Sequence, residues 1–267
     1  MRRNFTYLPL LILFTFCGSS DSDDAIPEEQ ISTCLPQSAT LVLSGLTFEY
    51  SDNNRLQSVT YYRSNGSLEK KDSLEYDSQN RVSKVERRTK VAGAPRTYEY
   101  VYASDGRLKQ ITETGEALLG TVFEKEFTYD VEGRLEMAVR RGGNIIGYRY
   151  EYNSDNNIDR VFYISPDGFG GSKEVLAREL FDYDDTPQFY ADSPELVQYF
   201  TFLVDRFPSA NNYLRQSRSY TDPFTYTSPP SELQYGAEYD DNGYLTKIFD
   251  KAFTSSVEID KVIYDCF

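Results

Sequence analysis

The chain has 267 residues, no histidine, and a formal charge of −14 from 28 Lys and Arg against 42 Asp and Glu. A protein this acidic is repelled by phosphate backbones, which argues against a nucleic-acid partner. Without histidine the commonest general base and metal ligand are missing, and three cysteines cannot form a Cys-only zinc site. The 23 Tyr and 17 Phe residues favour β structure.

Residues 1–16 have the layout of an export signal peptide. Two arginines precede a short apolar run that ends at Cys17, and this run is too short to cross a membrane as a helix. The layout resembles a bacterial lipoprotein signal, although Phe16 stands where that pattern has a small residue. The resemblance implies that Cys17 is lipidated and anchors the protein to a membrane. The alternative is ordinary secretion with cleavage after Ser19.

Residues 17–40 are interpreted as a lipidated acidic tether. Between residues 18 and 33 the chain carries five Asp and Glu and few apolar residues, which is typical of a flexible, self-repelling segment. The Ser-Asp tract after Cys17 resembles the export tracts of surface-displayed lipoproteins in Bacteroidota. This resemblance implies an outer-membrane, lipid-anchored protein at the cell surface.

Cys34 and Cys266 bracket the remainder of the chain, residues 41–267. Free thiols are uncommon outside the cytoplasm, so we predict a disulfide that joins the two ends of the folded domain. The alternative is two unrelated thiols.

A ten-residue pattern that begins with tyrosine recurs along residues 41–267. The segment "YASDGRLKQI" begins at Tyr102, and similar segments begin at Tyr76, Tyr129 and Tyr239. With a further copy at Tyr50, the copies at Tyr50, Tyr76, Tyr102 and Tyr129 are 26 or 27 residues apart, which indicates a repeat architecture. Four residues after the tyrosine stands Gly or Asn, the residues that most readily adopt positive φ, and this predicts a hairpin turn. The predicted turn positions are Asn54, Asn80, Gly106, Gly133, Asn156 and Gly243.

The residues around each turn alternate between two kinds. Aromatic side chains occupy every second position before the turn, with acidic residues such as Glu75 and Glu99 between them. This period of two predicts strands with one aromatic and one charged face. Lys84, Arg160 and Lys247 follow the turns at positions that predict cross-strand pairs with the acids.

The Tyr-Asp-x-x-Gly-Arg-Leu unit is similar to the YD, or RHS-type, repeats of bacterial surface and toxin-shell proteins. With its lipoprotein-like leader, the chain resembles a Bacteroidota lipoprotein family of unknown function whose domain is described as porin-like. The resemblance covers roughly residues 45–265, and it implies a β-hairpin array with no catalytic residues.

We therefore predict an all-β fold, an antiparallel up-and-down sheet of β-hairpins that is strongly curled or closed into a barrel. A sheet of more than ten strands tends to close, and closure buries the tyrosine face. A membrane porin is the competing interpretation, but it needs an apolar outer band where this chain has Glu and Asp.

One segment interrupts the repeats, at about residues 193–207. Ser193 suits a helix N-cap and Pro194 the first helical position, and apolar residues follow at helical spacing. We predict an amphipathic helix that either caps an open end of the sheet or packs on its flank.

No pattern singles out a catalytic, cofactor or metal site. Acidic clusters such as Asp240 and Asp241 are expected at hairpin turns and lack calcium-loop spacing. An arginine column could form a ligand ladder, but stacking on tyrosine or pairing with glutamate explains it more simply. The column consists of Arg55, Arg81, Arg107 and Arg134.

The function expected from the sequence is a non-enzymatic binding or structural module for a glycan or protein ligand. Its other predicted partner is the membrane, through Cys17, and no cofactor is expected. The alternative is a carbohydrate-active hydrolase that uses Asp and Glu, since such a reaction needs no histidine.

Overall fold

The computed structural model describes residues 34–41, 44–90, 94–115, 121–141, 145–187, 194–199, 209, 211–218, 231–251 and 257–266. Within these residues the chain forms sixteen antiparallel strands and one short helix. The strands are β1 Cys34–Leu41, β2 Ser44–Tyr50, β3 Leu56–Arg63, β4 Leu68–Tyr76, β5 Val82–Thr89, β6 Arg96–Tyr102, β7 Leu108–Gly115, β8 Phe123–Tyr129, β9 Leu135–Arg141, β10 Ile146–Tyr152, β11 Ile158–Pro166, β12 Ser172–Pro187, β13 Asn211–Arg218, β14 Ser231–Tyr239, β15 Leu245–Asp250 and β16 Val257–Cys266. The helix α1 spans Pro194–Gln198.

Each strand pairs with its neighbours in sequence, and β1 pairs with β16, so the predicted all-β sheet closes into an up-and-down barrel. Closure removes the two unpaired edges that an open sheet would expose. At the seam the backbone register sets Cys34 opposite Cys266. Because β1 begins at Cys34, the barrel starts before residue 41, the boundary drawn from the sequence.

The turn positions have the backbone that their residue types favour. Gly106 has a φ of 85° and Asn80 a φ of 63°, and the other four positions are likewise positive. In the Tyr102 unit the turn is held by two hydrogen bonds, from Gly106 N to Ala103 O at 3.0 Å and from Ala103 N to Arg107 O at 2.8 Å. We call the end of the barrel that carries these turns the turn rim, and the opposite end the far rim.

A β-bulge follows each of these turns and decides which residues face inward. In the Tyr76 unit the register shifts between Glu75 and Tyr76, so Val82 and Val85, three residues apart, are both fully buried. The extra residue changes the side-chain alternation at the start of the return strand. Buried residues from β1 around to β16 form one core cluster, which therefore lies inside the barrel.

The predicted helix is present in the part of its range that the structure describes. Helical geometry covers Pro194–Gln198, and Ser193 and residues 200–208 lie outside the described residues. Leu196 and Tyr199 are fully buried within the barrel core. The helix therefore packs inside the barrel rather than on its flank.

The outer face carries the cross-strand ion pairs that the sequence predicted. Lys84 lies 2.7 Å from Glu75, and Lys247 lies 3.3 Å from Glu238. Arg160 makes a longer contact with Glu151, at 3.7 Å. Among the described residues no helix is long and apolar enough to cross a membrane.

Candidate functional site

The turn rim is held by a ladder of tyrosines. Tyr102 donates a hydrogen bond of 2.6 Å to the backbone carbonyl of Val82. Val82 is the first residue of the return strand in the preceding unit. Tyr129 does the same with Leu108 at 2.8 Å, and burial raises the pKa of Tyr129 to about 12, which keeps its hydroxyl a donor. The other members of the ladder are Tyr50, Tyr76, Tyr152 and Tyr183, bound to Pro36, Leu56, Leu135 and Ile158.

The arginine column lies on this ladder. The guanidinium of Arg81 stacks over the ring of Tyr102 in the next unit, with 4.0 Å between the guanidinium carbon and the ring centroid. Such a contact stabilises by cation–π attraction. Arg55, Arg107 and Arg134 stack in the same way on Tyr76, Tyr129 and Tyr152. Both the tyrosines and the arginines of the repeat therefore join neighbouring units.

Helix α1 occupies the interior on the side of the turn rim. Gln198 Oε1 accepts a hydrogen bond from the backbone N–H of Val82 at 3.1 Å and lies 3.1 Å from the hydroxyl oxygen of Tyr102. Deeper in the barrel, the Tyr199 hydroxyl lies 2.7 Å from that of Tyr61 and donates to Asp72. The helix and Tyr199 thus form a floor across part of the barrel interior.

Asp72 on β4 is fully buried against this floor. It is held by a bidentate ion pair with Arg87 on β5, at 2.8 Å to Nε and 2.6 Å to Nη2. Burial alone would lower the pKa of Arg87, but hydrogen bonds to Asp72 and the charge of Asp72 raise it overall. The same burial raises the pKa of Tyr199 well above its usual value, and the charge of Asp72 adds to that effect.

Toward the far rim the polar network continues to Glu113 on β7. Two arginines share this single carboxylate: Arg96 Nη1 lies 3.1 Å from Oε1 and Arg140 Nη2 lies 3.2 Å from Oε2. The side chains of Arg96 and Arg140 are 42% and 47% exposed, whereas that of Arg87 is 15% exposed. Tyr98 connects the two ion-pair groups, at 3.3 Å from Arg87 and 3.4 Å from Glu113.

Lys70 adds a positive charge next to this network. Its ammonium lies 4.0 Å from the centroid of the Tyr61 ring, and no carboxylate of the described residues forms a salt bridge with it. Burial lowers the pKa of Lys70 and the positive charge of Arg87 lowers it further, with Asp72 and Glu69 acting in the opposite direction. Burial is therefore the main cause of the lowered pKa of this ammonium.

Tyr100 contributes a buried hydroxyl without a hydrogen-bond partner in the described part of the chain. Its side chain points inward between Tyr98 and Tyr102 on β6, and the residue is 7% exposed. Burial raises its pKa well above the usual value, and the charges of Asp72 and Arg87 also act on it. Buried hydroxyls in proteins are normally hydrogen-bonded, so this one is exceptional.

These residues define the candidate site, which we call the basic inner surface. Strand alternation places all of them on inward positions, because the buried neighbours two or three residues along each strand also face inward. Apart from Lys125, four cations accompany two carboxylates among these described residues, which leaves an excess of positive charge in a chain of charge −14. The members are Lys70, Arg87, Arg96, Lys125 and Arg140, with Asp72 and Glu113.

The sequence pointed to the turn rim and missed the basic inner surface. The rim residues recur in most units, so the repeat made them visible. Lys70 and Arg96 each stand six residues before the tyrosine of their unit, outside the ten-residue segment, and only the register shows that they share the barrel interior. Cys17 and the side chains of Cys34 and Cys266 lie outside the described residues. No group of three or more metal-ligating side chains is found in the described ranges.

Comparisons with known proteins find likenesses of structure only. No protein-family model matches the sequence, and no curated protein shows significant similarity. A porin-like protein from Bacteroides uniformis is similar over 84% of this chain and 91% of its own length, with 14% identity and a TM-score of 0.47. One from Bacteroides vulgatus is similar over 86% and 99%, with 12% identity and a TM-score of 0.38. The Photorhabdus luminescens Tc holotoxin pore is similar over 80% of this chain and 9% of its own, with 14% identity and a TM-score of 0.32.

Proposed function

We propose that this protein is a non-enzymatic binding module of the bacterial envelope, anchored by a lipid on Cys17, that holds a glycan inside its barrel. The observation that carries the proposal is the basic inner surface. It runs from the buried Asp72–Arg87 pair to the accessible arginines Arg96 and Arg140. Ligand sites typically combine apolar and aromatic walls with a few polar groups that orient the ligand.

The closed sheet favours a glycan over a peptide as the occupant. Extended peptides are commonly bound by adding a strand to a free sheet edge, and this barrel has no free edge because β1 pairs with β16. The inner wall instead offers half-buried aromatic rings, those of Phe123 and Tyr148. Flat aromatic faces suit the apolar faces of sugar rings.

The outer face supports a barrel in water, tethered to a membrane, rather than one embedded in lipid. Its described strands carry ion pairs such as Lys84–Glu75 and Arg141–Glu126, the latter at 2.7 Å. A membrane-embedded barrel needs an apolar band on this face. The membrane association is therefore proposed to depend on the lipid.

The anchor is tested by replacing Cys17 with serine in a bacterium that processes lipoproteins. We expect the wild-type protein to partition into the detergent phase with a lipidated N-terminal cysteine, and the Cys17→Ser variant to partition into the aqueous phase. Cys34→Ser is the matched control and should partition into the detergent phase as the wild type does, because it leaves Cys17 in place. A wild-type protein whose mature N-terminus is Ser20 would show ordinary secretion and contradict the anchor.

Glycan binding is tested with the purified protein on a panel of plant, host and microbial oligosaccharides. We expect stable binding of at least one class without any change in the mass of the glycan. Release of shortened products without stable binding would overturn the proposal in favour of a hydrolase. Absence of binding across the panel would also contradict it.

A further inference from the structure

Among the described members of the basic inner surface, cations outnumber the carboxylates that pair with them. Asp72 is matched by Arg87 through two hydrogen bonds, so this pair is internally balanced. Glu113, however, is shared by Arg96 and Arg140, and Lys70 contacts a ring rather than a carboxylate.

Removing these cations from water costs free energy, and a purely structural role does not explain why the protein keeps them there. Desolvated cations are unfavourable unless they are paired with anions or hydrogen-bonded. The chain has 42 acidic residues, yet among the described inward positions of strands β4 to β9 the carboxylates are those of Asp72 and Glu113. An anionic ligand would supply the missing negative charge.

Two features indicate where such a ligand contacts the wall. Arg96 and Arg140 are the exposed members of the network, and the guanidinium carbon of Arg140 lies 3.9 Å from the centroid of the Phe123 ring. Tyr100 adds an unpartnered buried hydroxyl on the same strand as Arg96. Guanidinium groups beside an aromatic ring suit a sugar that carries a carboxylate.

We infer that the glycan held by the barrel is an acidic one, whose carboxylate is bound by Arg96 and Arg140 near Lys70, with the Tyr100 hydroxyl as a further donor. This inference rests on the proposed function and narrows it from glycans in general to glycans that contain uronic acids.

The test uses tetragalacturonate as the probe and its full methyl ester as the uncharged match, with binding measured by calorimetry on the purified full chain. We expect the acid to bind and the ester to bind at least tenfold more weakly, because the ester loses the charge-assisted hydrogen bonds to the arginines. Equal binding of acid and ester, or no binding of the acid, would overturn the inference. If neutral glycans of the panel still bind, the proposed function survives.

Two single-residue variants distinguish binding at the proposed site from non-specific attraction by the protein's charge. Arg96→Gln is expected to weaken tetragalacturonate binding by roughly tenfold or more, since it removes a charged hydrogen bond. Arg88→Gln is the matched control, because Arg88 is an exposed arginine on β5 that pairs with Glu86 on the outer face. Equal losses in the two variants would show a non-specific charge effect and contradict the site.

The Tyr100→Phe variant shows whether the Tyr100 hydroxyl contributes to ligand binding or to the stability of the protein. Its hydroxyl has no partner in the described residues, so its removal should leave the free energy of unfolding unchanged or slightly raised. The same change should weaken tetragalacturonate binding roughly fivefold to tenfold, the effect of one lost hydrogen bond. Loss of stability with unchanged affinity would assign the hydroxyl to the protein's own packing and remove it from the site.

Discussion

Loss of a Cys34–Cys266 disulfide is expected to lower the free energy of unfolding by about 4–5 kcal/mol, the value that the chain-entropy model gives for a very long loop. The two residues face each other in the backbone register of β1 and β16, the pair of strands that closes the barrel. Directly opposed residues in antiparallel strands have Cα atoms about 4.5–5.5 Å apart, within the range that a disulfide spans.

The bond is detected by intact mass, which should rise by two hydrogens when the native protein is reduced. Chemical denaturation with and without reductant then gives its contribution to stability. The double variant Cys34→Ser/Cys266→Ser is the control, since its stability should not depend on reductant. If both cysteines of the oxidised native protein react with an alkylating reagent, the disulfide does not form.

Asp72→Ala is expected to destabilise the protein by about 3–5 kcal/mol, because it leaves a buried guanidinium without its partner. Asp72 is fully buried, and the Arg87 side chain is 15% exposed. The change also removes the acceptor of the Tyr199 hydroxyl and so loosens the floor of the barrel. Urea denaturation of the wild type and the variant measures the difference.

Two further variants test whether the burial of the Asp72–Arg87 pair is the reason for the large expected loss of stability. Glu75→Ala, on the outer face of the same strand, removes an ion pair in which the Glu75 side chain is 62% exposed, and should cost less than about 1 kcal/mol. The double variant Asp72→Leu/Arg87→Met should recover most of the lost stability, since apolar replacements of buried pairs are often neutral or stabilising. A cost for Asp72→Ala as small as that of Glu75→Ala would contradict the buried pair.

The fold could be predicted from the sequence, whereas the candidate binding site could not. The repeat of tyrosine and arginine drew attention to the turn rim, where each arginine stacks on the tyrosine of the next unit. In those contacts the side chains join neighbouring repeat units, as expected from the interpretation that the arginine column stacks on tyrosine. The accessible arginines are instead Arg96 and Arg140, which lie outside the ten-residue repeated segments.

The sequence contains a pattern that indicates the β-bulges. The leading apolar residues of the return strands are spaced by three, as in Leu56 and Val59 or Leu108 and Ile111. Simple alternation would put the second of each pair on the outer face. A bulge after every turn brings both inward, and spacing by three was sufficient to predict it.

The sequence by itself determined what depends on neighbours along the chain. Positive φ at Asn and Gly, period-two strands and outer ion pairs such as Lys84–Glu75 all join residues a few positions apart, so a local pattern encodes them. Only the tertiary structure decided that the sheet closes between β1 and β16, and that Tyr199 meets Asp72 from 127 residues away. Such contacts depend on barrel closure and strand register, which set the inner surface only when all sixteen strands are paired.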